Sequence, residues 1–404
     1  MRNLTNPFFR SIVVAFLLSH IGSVVAQDGD KLTPPAFERD LFQQTVQSGV
    51  QYLLEKGQAE DGSFSKQLSP AVTAMCTSSL LEHGIPLSHP KVQKAITYLE
   101  SLVQPDGGIY PAGSTLRNYE TSVAVMCFQR AKELAEKSGD VEIAAKYHKV
   151  VGRAVAFLKG LQWDDSEGHP IESQFYGGQG YGSHKRPDAS NTSYFLDALE
   201  AAGEDGESEA VQKALVFMSR CQNLPTAYNT AEWASKVSDE DRGGGIYTAV
   251  GQGGESMAGQ TPNGGLRSYA SMTYAGLKSF LYAGLSKDDI RVKAAFDWIS
   301  RHYDVKTNPG MGQQGLFYYY HVFAKTLHAV NETMVTDSKG QQHHWRNDLI
   351  KQLADRQQED GSWTNPADRW YEGDPNLVTS YALLALSYCK EPVAAESPQP
   401  APKK

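Results

Sequence analysis

The 404-residue chain carries 38 basic and 46 acidic side chains, a net charge of −8, with 40% hydrophobic and 21% charged residues. That length suits one large domain or two ordinary ones, and the composition excludes a disordered or fibrous chain. An acidic balance without a long basic run excludes nucleic acid as a partner.

The first element in chain order is an export signal. Arg2 and Arg10 precede an apolar run over 11–26 that ends Val24-Val25-Ala26, before the polar Gln27-Asp28-Gly29-Asp30. This charged, apolar, small-residue order predicts a signal peptide over 1–26, cleaved after Ala26, with an uncleaved membrane anchor as the alternative, and an exported protein, periplasmic or extracellular. Residues 27–44 read as a polar leader and 391–404, rich in proline, as a disordered tail. Four cysteines in an exported chain invite disulfides, yet Cys76, Cys127 and Cys389 fall within apolar helical runs and read as buried thiols.

From 45 to 390 one phrase recurs six times: an amphipathic helical run, a loop with Asp-Gly or Gly-Gly and an aromatic, then a more apolar helical run. The first loop, Gln58-Ala59-Glu60-Asp61-Gly62-Ser63-Phe64, and the last, Gln357-Gln358-Glu359-Asp360-Gly361-Ser362-Trp363, agree at five positions. Between them stand Asp106-Gly107-Gly108-Ile109-Tyr110, the glycines around 177–182, Gly243-Gly244-Gly245-Ile246-Tyr247 and Gly310-Met311-Gly312. Amphipathic runs begin near Val46, Val92, Val151, Val211, Val292 and Asn347. The apolar runs cover Ala71 to Leu81, Thr121 to Ala131, Thr192 to Ala202, Tyr269 to Ala283, Tyr318 to Val330 and Thr379 to Cys389. Charged faces predict an outer set of helices and apolar runs an inner set; six pairs suit a closed ring.

The glutamine, Asp-Gly and aromatic of these loops resemble the QW repeat of squalene and hopene cyclases, and the pattern from 45 to 390 resembles the prenyltransferase and squalene oxidase repeat family. The resemblance implies an all-α fold, an α/α toroid of six helical hairpins. The loops read as structural, with glycine turning the chain and the carboxylate accepting backbone amides. In such a toroid the inner helices start at one mouth, where six N-termini favour anionic or strongly polar groups.

Aligned on a Thr/Ser-to-Ala/Leu pattern, the inner helices give one column of Thr73, Thr121, Thr192, Ala270, Tyr320 and Thr379, and a next column of Ala74, Ser122, Ser193, Ser271, His321 and Ser380. The fifth repeat alone breaks the small-residue rule, which marks Tyr320 and His321, beside Tyr319, as candidate site residues; an imidazole there is an acid, base or ligand, or a core residue. In the third repeat Pro187-Asp188-Ala189-Ser190-Asn191-Thr192 falls where squalene-hopene cyclases carry proline, DxDD and threonine. The resemblance therefore points to Asp188 and Asn191, with serine and asparagine where the family has its proton-donating carboxylic acid; both residues also suit a helix cap. Arg267, at the start of an inner helix after a long insertion, together with Trp163, Tyr176, Tyr181 and Tyr319, is expected to line a cavity with a polar rim. No Asp-x-Cys pair of the kind used by the zinc-dependent prenyltransferase branch occurs, and neither metal nor cofactor is expected.

The leading expectation is an exported terpenoid-cyclase-like toroid that binds an isoprenoid or other elongated apolar molecule. If it is an enzyme, the resemblance implies a cyclase-like isomerase or lyase. Proximity to a membrane and a protein partner stay open. The alternatives are a secreted carbohydrate-active enzyme using Asp188, Asp239 and Asp241, and a non-catalytic protein-binding scaffold.

Overall fold

The computed structural model describes residues 36–182, 186–251 and 253–391, so the expected signal segment and most of the expected tail lie outside the described residues. The helices are α1 (Arg39–Tyr52, continued by a π-helical turn Leu53–Gly57), α2 (Pro70–Glu82), α3 (Pro90–Glu100), α4 (Arg117–Ser138), α5 (Val141–Lys159), α6 (Ala189–Ala201), α7 (Glu209–Arg220), the short α8 (Glu232–Ser235), α9 (Ala270–Tyr282), α10 (Ile290–His302), α11 (Leu316–Val330), α12 (Trp345–Arg356) and α13 (Pro375–Tyr388). One antiparallel pair, β1 (Met334–Thr336) and β2 (Gln342–His344), precedes α12 and has no counterpart in the expected repeats.

Hydrophobic periodicity sorts the helices. α3 buries Val92, Ala95, Ile96 and Leu99, one stripe at helical spacing, whereas α2 buries every residue from Pro70 to Thr77. The first is an outer helix and the second an inner one. Each inner helix touches two others, in the cyclic order α2, α4, α6, α9, α11, α13 and back to α2. Outer helices cover this ring, with α3 on α2, α5 on α4, α7 on α6 and α9, and α10 on α9; α1 packs on α12 and α13. The fold is an all-α, α/α toroid.

Small side chains bring the inner backbones close: Ser79 Oγ donates to Ser380 O at 3.2 Å and Thr326 Oγ1 to Tyr274 O at 3.0 Å. All four cysteines are buried free thiols.

The loop glycines join neighbouring units. At Gly177 (φ +79°) an added Cβ would stand 1.8 Å from Lys213 O on the next outer helix, and at Gly361 (φ +89°) 2.3 Å from Ser48 O, which closes the ring from the last unit to the first. The loop glutamine makes the second tie: Gln58 Nε2 donates to Gly62 O in its own loop at 3.0 Å and to Lys91 O on the next outer helix at 2.7 Å. Gln162, Gln222 and Gln357 repeat that bridge. The fifth loop departs from the expected set. Gly310 abuts Ser268 and Tyr269 rather than an outer helix, and Tyr303 stands after α10 where glutamine is expected, its hydroxyl on Asp348 Oδ2 at 2.9 Å.

The expected polar leader is corrected at its end. α1 begins at Arg39, and Ala36 O and Glu38 N are held by the Asn347 side chain at the start of α12, so residues from 36 onward belong to the ring.

Candidate functional site: the ring interior

Loop-to-helix hydrogen bonds give the inner helices a common register. Phe64, Ile109, Gln179, Gly245 and Trp363 donate their N–H to the hydroxyls of Thr73, Thr121, Thr192, Thr273 and Thr379 at 2.9 to 3.1 Å. The fourth member is Thr273, three residues beyond the expected Ala270. A slip of nearly one turn leaves the apolar pattern of a helix buried on most sides almost unchanged, so pattern alone did not detect it. In the fifth unit Tyr320 replaces threonine and its hydroxyl still reaches the loop, at Val305 O (2.7 Å), while Tyr319 reaches Asp304 O (2.6 Å). Both phenols, expected at the site, are engaged by the loop backbone. The next column is therefore Ala74, Ser122, Ser193, Tyr274, His321 and Ser380, and the fourth repeat breaks the small-residue rule as well as the fifth.

Positions three before, one after and four after this column share one helix face. On that face Tyr119 (α4), Tyr194 (α6), Tyr318 (α11) and Tyr381 (α13) meet. Ring centroids are 5.2 Å apart for Tyr119 and Tyr194, 6.1 Å for Tyr194 and Tyr318, and 6.0 Å for Tyr318 and Tyr381, and the hydroxyls of Tyr194 and Tyr381 are 3.4 Å apart. α6 and α13 are opposite members of the ring, as are α4 and α11, so these tyrosines cross its axis.

Four residues beyond the column lies a second layer: Ser78, Met126, Asp197, Lys278, Lys325 and Leu384. Ser78, Met126 and Leu384 are half-buried, as is Lys325 with 14% of its side chain exposed. Lys278 pairs with Asp197 Oδ1, and Lys325 Nζ approaches the same oxygen at 2.9 Å and Glu200 at 3.8 Å. Burial opposes ionisation of Asp197, but the two lysines outweigh it and hold its carboxyl below the usual range. Burial pulls Lys278 down, whereas Asp197 outweighs burial at Lys325 and raises it.

His321 is 6% exposed at the α11–α13 seam, with ring centroids of Tyr381 and Tyr388 at 6.0 and 6.3 Å and its Nδ1 buried without a hydrogen-bond partner. Burial, helped by Lys325, drops its pKa to about 3. The imidazole is neutral at ordinary pH and carries no proton to donate as an imidazolium.

Asp188 caps α6: Oδ1 accepts from Asn191 N (2.9 Å) and Ser190 Oγ (2.6 Å), and Oδ2 from Asn191 Nδ2 (2.8 Å). Burial raises its pKa against these three donors. Tyr181 and Tyr247 stand beside this cap, and Asn191 Oδ1 is buried without a partner. The structure thus brings Asp188, Asn191 and Tyr181 together at the α6 entrance. Trp163 and Tyr176 are elsewhere. Trp163 packs in its own loop, edge-on to His169 at 4.7 Å and tilted against Phe175 at 5.2 Å, and Tyr176 lies in the same segment, which Arg220 of the outer helix α7 ties down. Arg267 is exposed, Asp239 lies against Arg301 of the outer helix α10, and Asp241 is buried, its carboxylate Oδ1 accepting from Ser268 N at 2.8 Å.

Of the six inner-helix starts expected to attract anions, three are already capped by the chain's own carboxylates: Asp188 on α6, Asp374 on α13 and Glu372 on α11. Asp197, Lys278, Lys325 and the tyrosine layer escaped sequence reasoning. The available signal was a charge set among apolar neighbours in each of three inner helices. Among the described residues no group of three or more His, Cys, Asp or Glu side chains is arranged to hold a metal ion, and no helix is long and apolar enough to cross a membrane.

Residues 69–237 match the family model of the squalene-hopene cyclase C-terminal domain. Squalene-hopene cyclase of Zymomonas mobilis subsp. mobilis is 27% identical over 166 residues, 41% of this chain; the match spans 23% of that protein's length. The type II terpene cyclase MstE from Scytonema, in complex with its substrate geranylgeranyl dihydroxybenzoate, aligns over 87% of this chain and 97% of that one at 12% identity and a TM-score of 0.46. Its apo form aligns over 87% and 98% at 14% identity and a TM-score of 0.32. The chain is thus an α/α toroid with inner and outer rings of helices, whose segment 69–237 is similar to the squalene-hopene cyclase C-terminal domain.

Proposed function

We propose that the chain is an exported binding protein for an elongated apolar ligand of the isoprenoid class, held along the ring axis without being cyclised by protonation. The observation that carries this reading is the aromatic layer of Tyr119, Tyr194, Tyr318 and Tyr381. Phenol rings offer an apolar, polarisable wall to such a molecule. The hydroxyl contact between Tyr194 and Tyr381, at 3.4 Å, is long and holds the two phenols only weakly.

Two features argue for binding over cyclisation. Both oxygens of Asp188 already accept hydrogen bonds, and Ser190 and Asn191 beside it are no acids. The carboxylates at the second layer, Asp197 and Glu200, are paired with Lys278 and Lys325, so neither is free to stabilise positive charge building on a hydrocarbon. Export rests on the sequence of residues 1–26, and the free cysteines leave the fold independent of an oxidising compartment.

The test is to incubate the chain lacking residues 1–26 with squalene and with a total lipid extract, then analyse bound and released lipid by mass spectrometry. The expected result is an isoprenoid retained unchanged and lost in Tyr194→Ala. A cyclised product would refute the binding reading, and failure to retain any isoprenoid would remove the ligand class.

A further inference from the structure

The layer of Ser78, Met126, Asp197, Lys278, Lys325 and Leu384 has no counterpart in a purely apolar binding tube. One side of it is apolar, from Met126 and Leu384, and the other carries two ammonium groups on a single carboxylate oxygen. Lys278 is 3% exposed and shares Asp197 closely; Lys325 keeps 14% of its side chain exposed, so it is the more accessible of the two ammonium groups. His321, one turn earlier on α11, adds a buried Nδ1 without a hydrogen-bond partner.

A lysine pair serving only to neutralise Asp197 would need one member. The second shares the same oxygen and has only a looser partner besides. Glu200 stands at 3.8 Å from Lys325, beyond a good hydrogen bond, and its own side chain is 43% exposed, so it compensates Lys325 only in part. Neutral His321 supplies a hydrogen-bond donor, which a carboxylate or phosphate oxygen satisfies.

We propose that this layer is a subsite for the anionic head group of an amphiphile, a carboxylate or a phosphate monoester held by Lys325 and His321, with the apolar tail directed into the tyrosine layer. The inference rests on the reading of the ring interior as an apolar-ligand site, and it narrows the ligand from a hydrocarbon to an acid-headed isoprenoid or related lipid. No bond is made or broken in this step.

Three probes of matched tail separate the terms: farnesol, farnesoic acid and farnesyl monophosphate, with inorganic phosphate as a head without a tail, each titrated by calorimetry into the chain lacking residues 1–26. Farnesoic acid and the monophosphate are expected to bind at least tenfold more tightly than farnesol, and inorganic phosphate at least a hundredfold more weakly than the monophosphate. In Lys325→Met the tenfold preference disappears while farnesol binding is retained. That variant leaves Asp197 and Lys278 as a balanced pair and is expected to fold, which circular dichroism checks. His321→Gln, which keeps a donor, retains most of the preference, whereas His321→Phe loses part of it.

Equal binding of farnesol and the two acids in the unaltered protein would overturn the head-group subsite and leave the apolar site standing. No binding of any tailed probe would overturn both. Inorganic phosphate binding as tightly as the monophosphate would overturn the amphiphile and leave a free-anion site in its place.

Discussion

Gly177 and Gly84 have similar backbone angles, φ +79° and +86°, but different surroundings: a methyl group at Gly177 meets Lys213 O at 1.8 Å, while at Gly84 nothing lies within 4 Å. Gly177→Ala is therefore expected to cost about 2–3 kcal/mol through strain and overpacking, and Gly84→Ala only about 1 kcal/mol, in urea denaturation. Equal losses would mean that the close approach between units contributes nothing. Asp197 presents the electrostatic counterpart. Asp197→Asn strands two buried ammonium groups and is expected to cost about 3–5 kcal/mol, more than Lys325→Met, which leaves one pair intact. The reverse order of the two losses would show that the cluster is not organised around Asp197.

At the scale of elements, each unit is fastened to the next by a loop side chain. Gln222 Nε2 donates to Gly243 O at 3.0 Å and to Arg291 O at 2.8 Å, so Gln222→Ala leaves two buried acceptors short and is expected to cost about 1–3 kcal/mol. Hydrogen exchange should quicken first in the 222–245 loop and the start of α10; uniform quickening would contradict a local tie. The fifth unit substitutes tyrosine for both glutamine and threonine, at Tyr303 and Tyr320, whose hydroxyls reach Asp348 on α12 and Val305 O in the loop. Those aromatics looked like a site in the sequence because they break a pattern, and part of their explanation is this repair of the loop.

For the whole molecule, acid sensitivity follows from burial. His321 is held neutral in the fold, with a pKa near 3 against 6.5 ordinarily, so between those values the unfolded chain takes up a proton that the folded chain refuses. Its contribution is intact above about pH 6.5 and is lost as pH falls toward 3, by about 1.4 kcal/mol per pH unit. Urea denaturation at pH 6 and pH 4.5 should show His321→Gln losing about 2 kcal/mol less than the unaltered protein across that interval. Parallel losses would place the acid sensitivity at other groups, of which His83, lowered by burial to about 4, is the first to examine. Ring closure has its own consequence, since α1 packs on α12 and α13 and Gly361 abuts Ser48. Opening that seam with Gly361→Ala is expected to speed exchange in α1 and α12 ahead of the interior helices.

The sequence by itself determined the outer and inner helices, their number and their pairing, because amphipathic and uniformly apolar runs have periods that a chain shows locally. It also marked Asp188, Asn191 and Tyr181, which the structure assembles at the α6 entrance. Register was less legible: a buried helix reads almost alike after a slip of three residues, and Thr273 was identified only by its hydrogen bond to Gly245. What tertiary structure alone decided is which side chains meet across the ring. Tyr194 and Tyr381 are separated by 187 positions and Lys278 and Asp197 by 81, and only closure of six hairpins on one axis makes them neighbours.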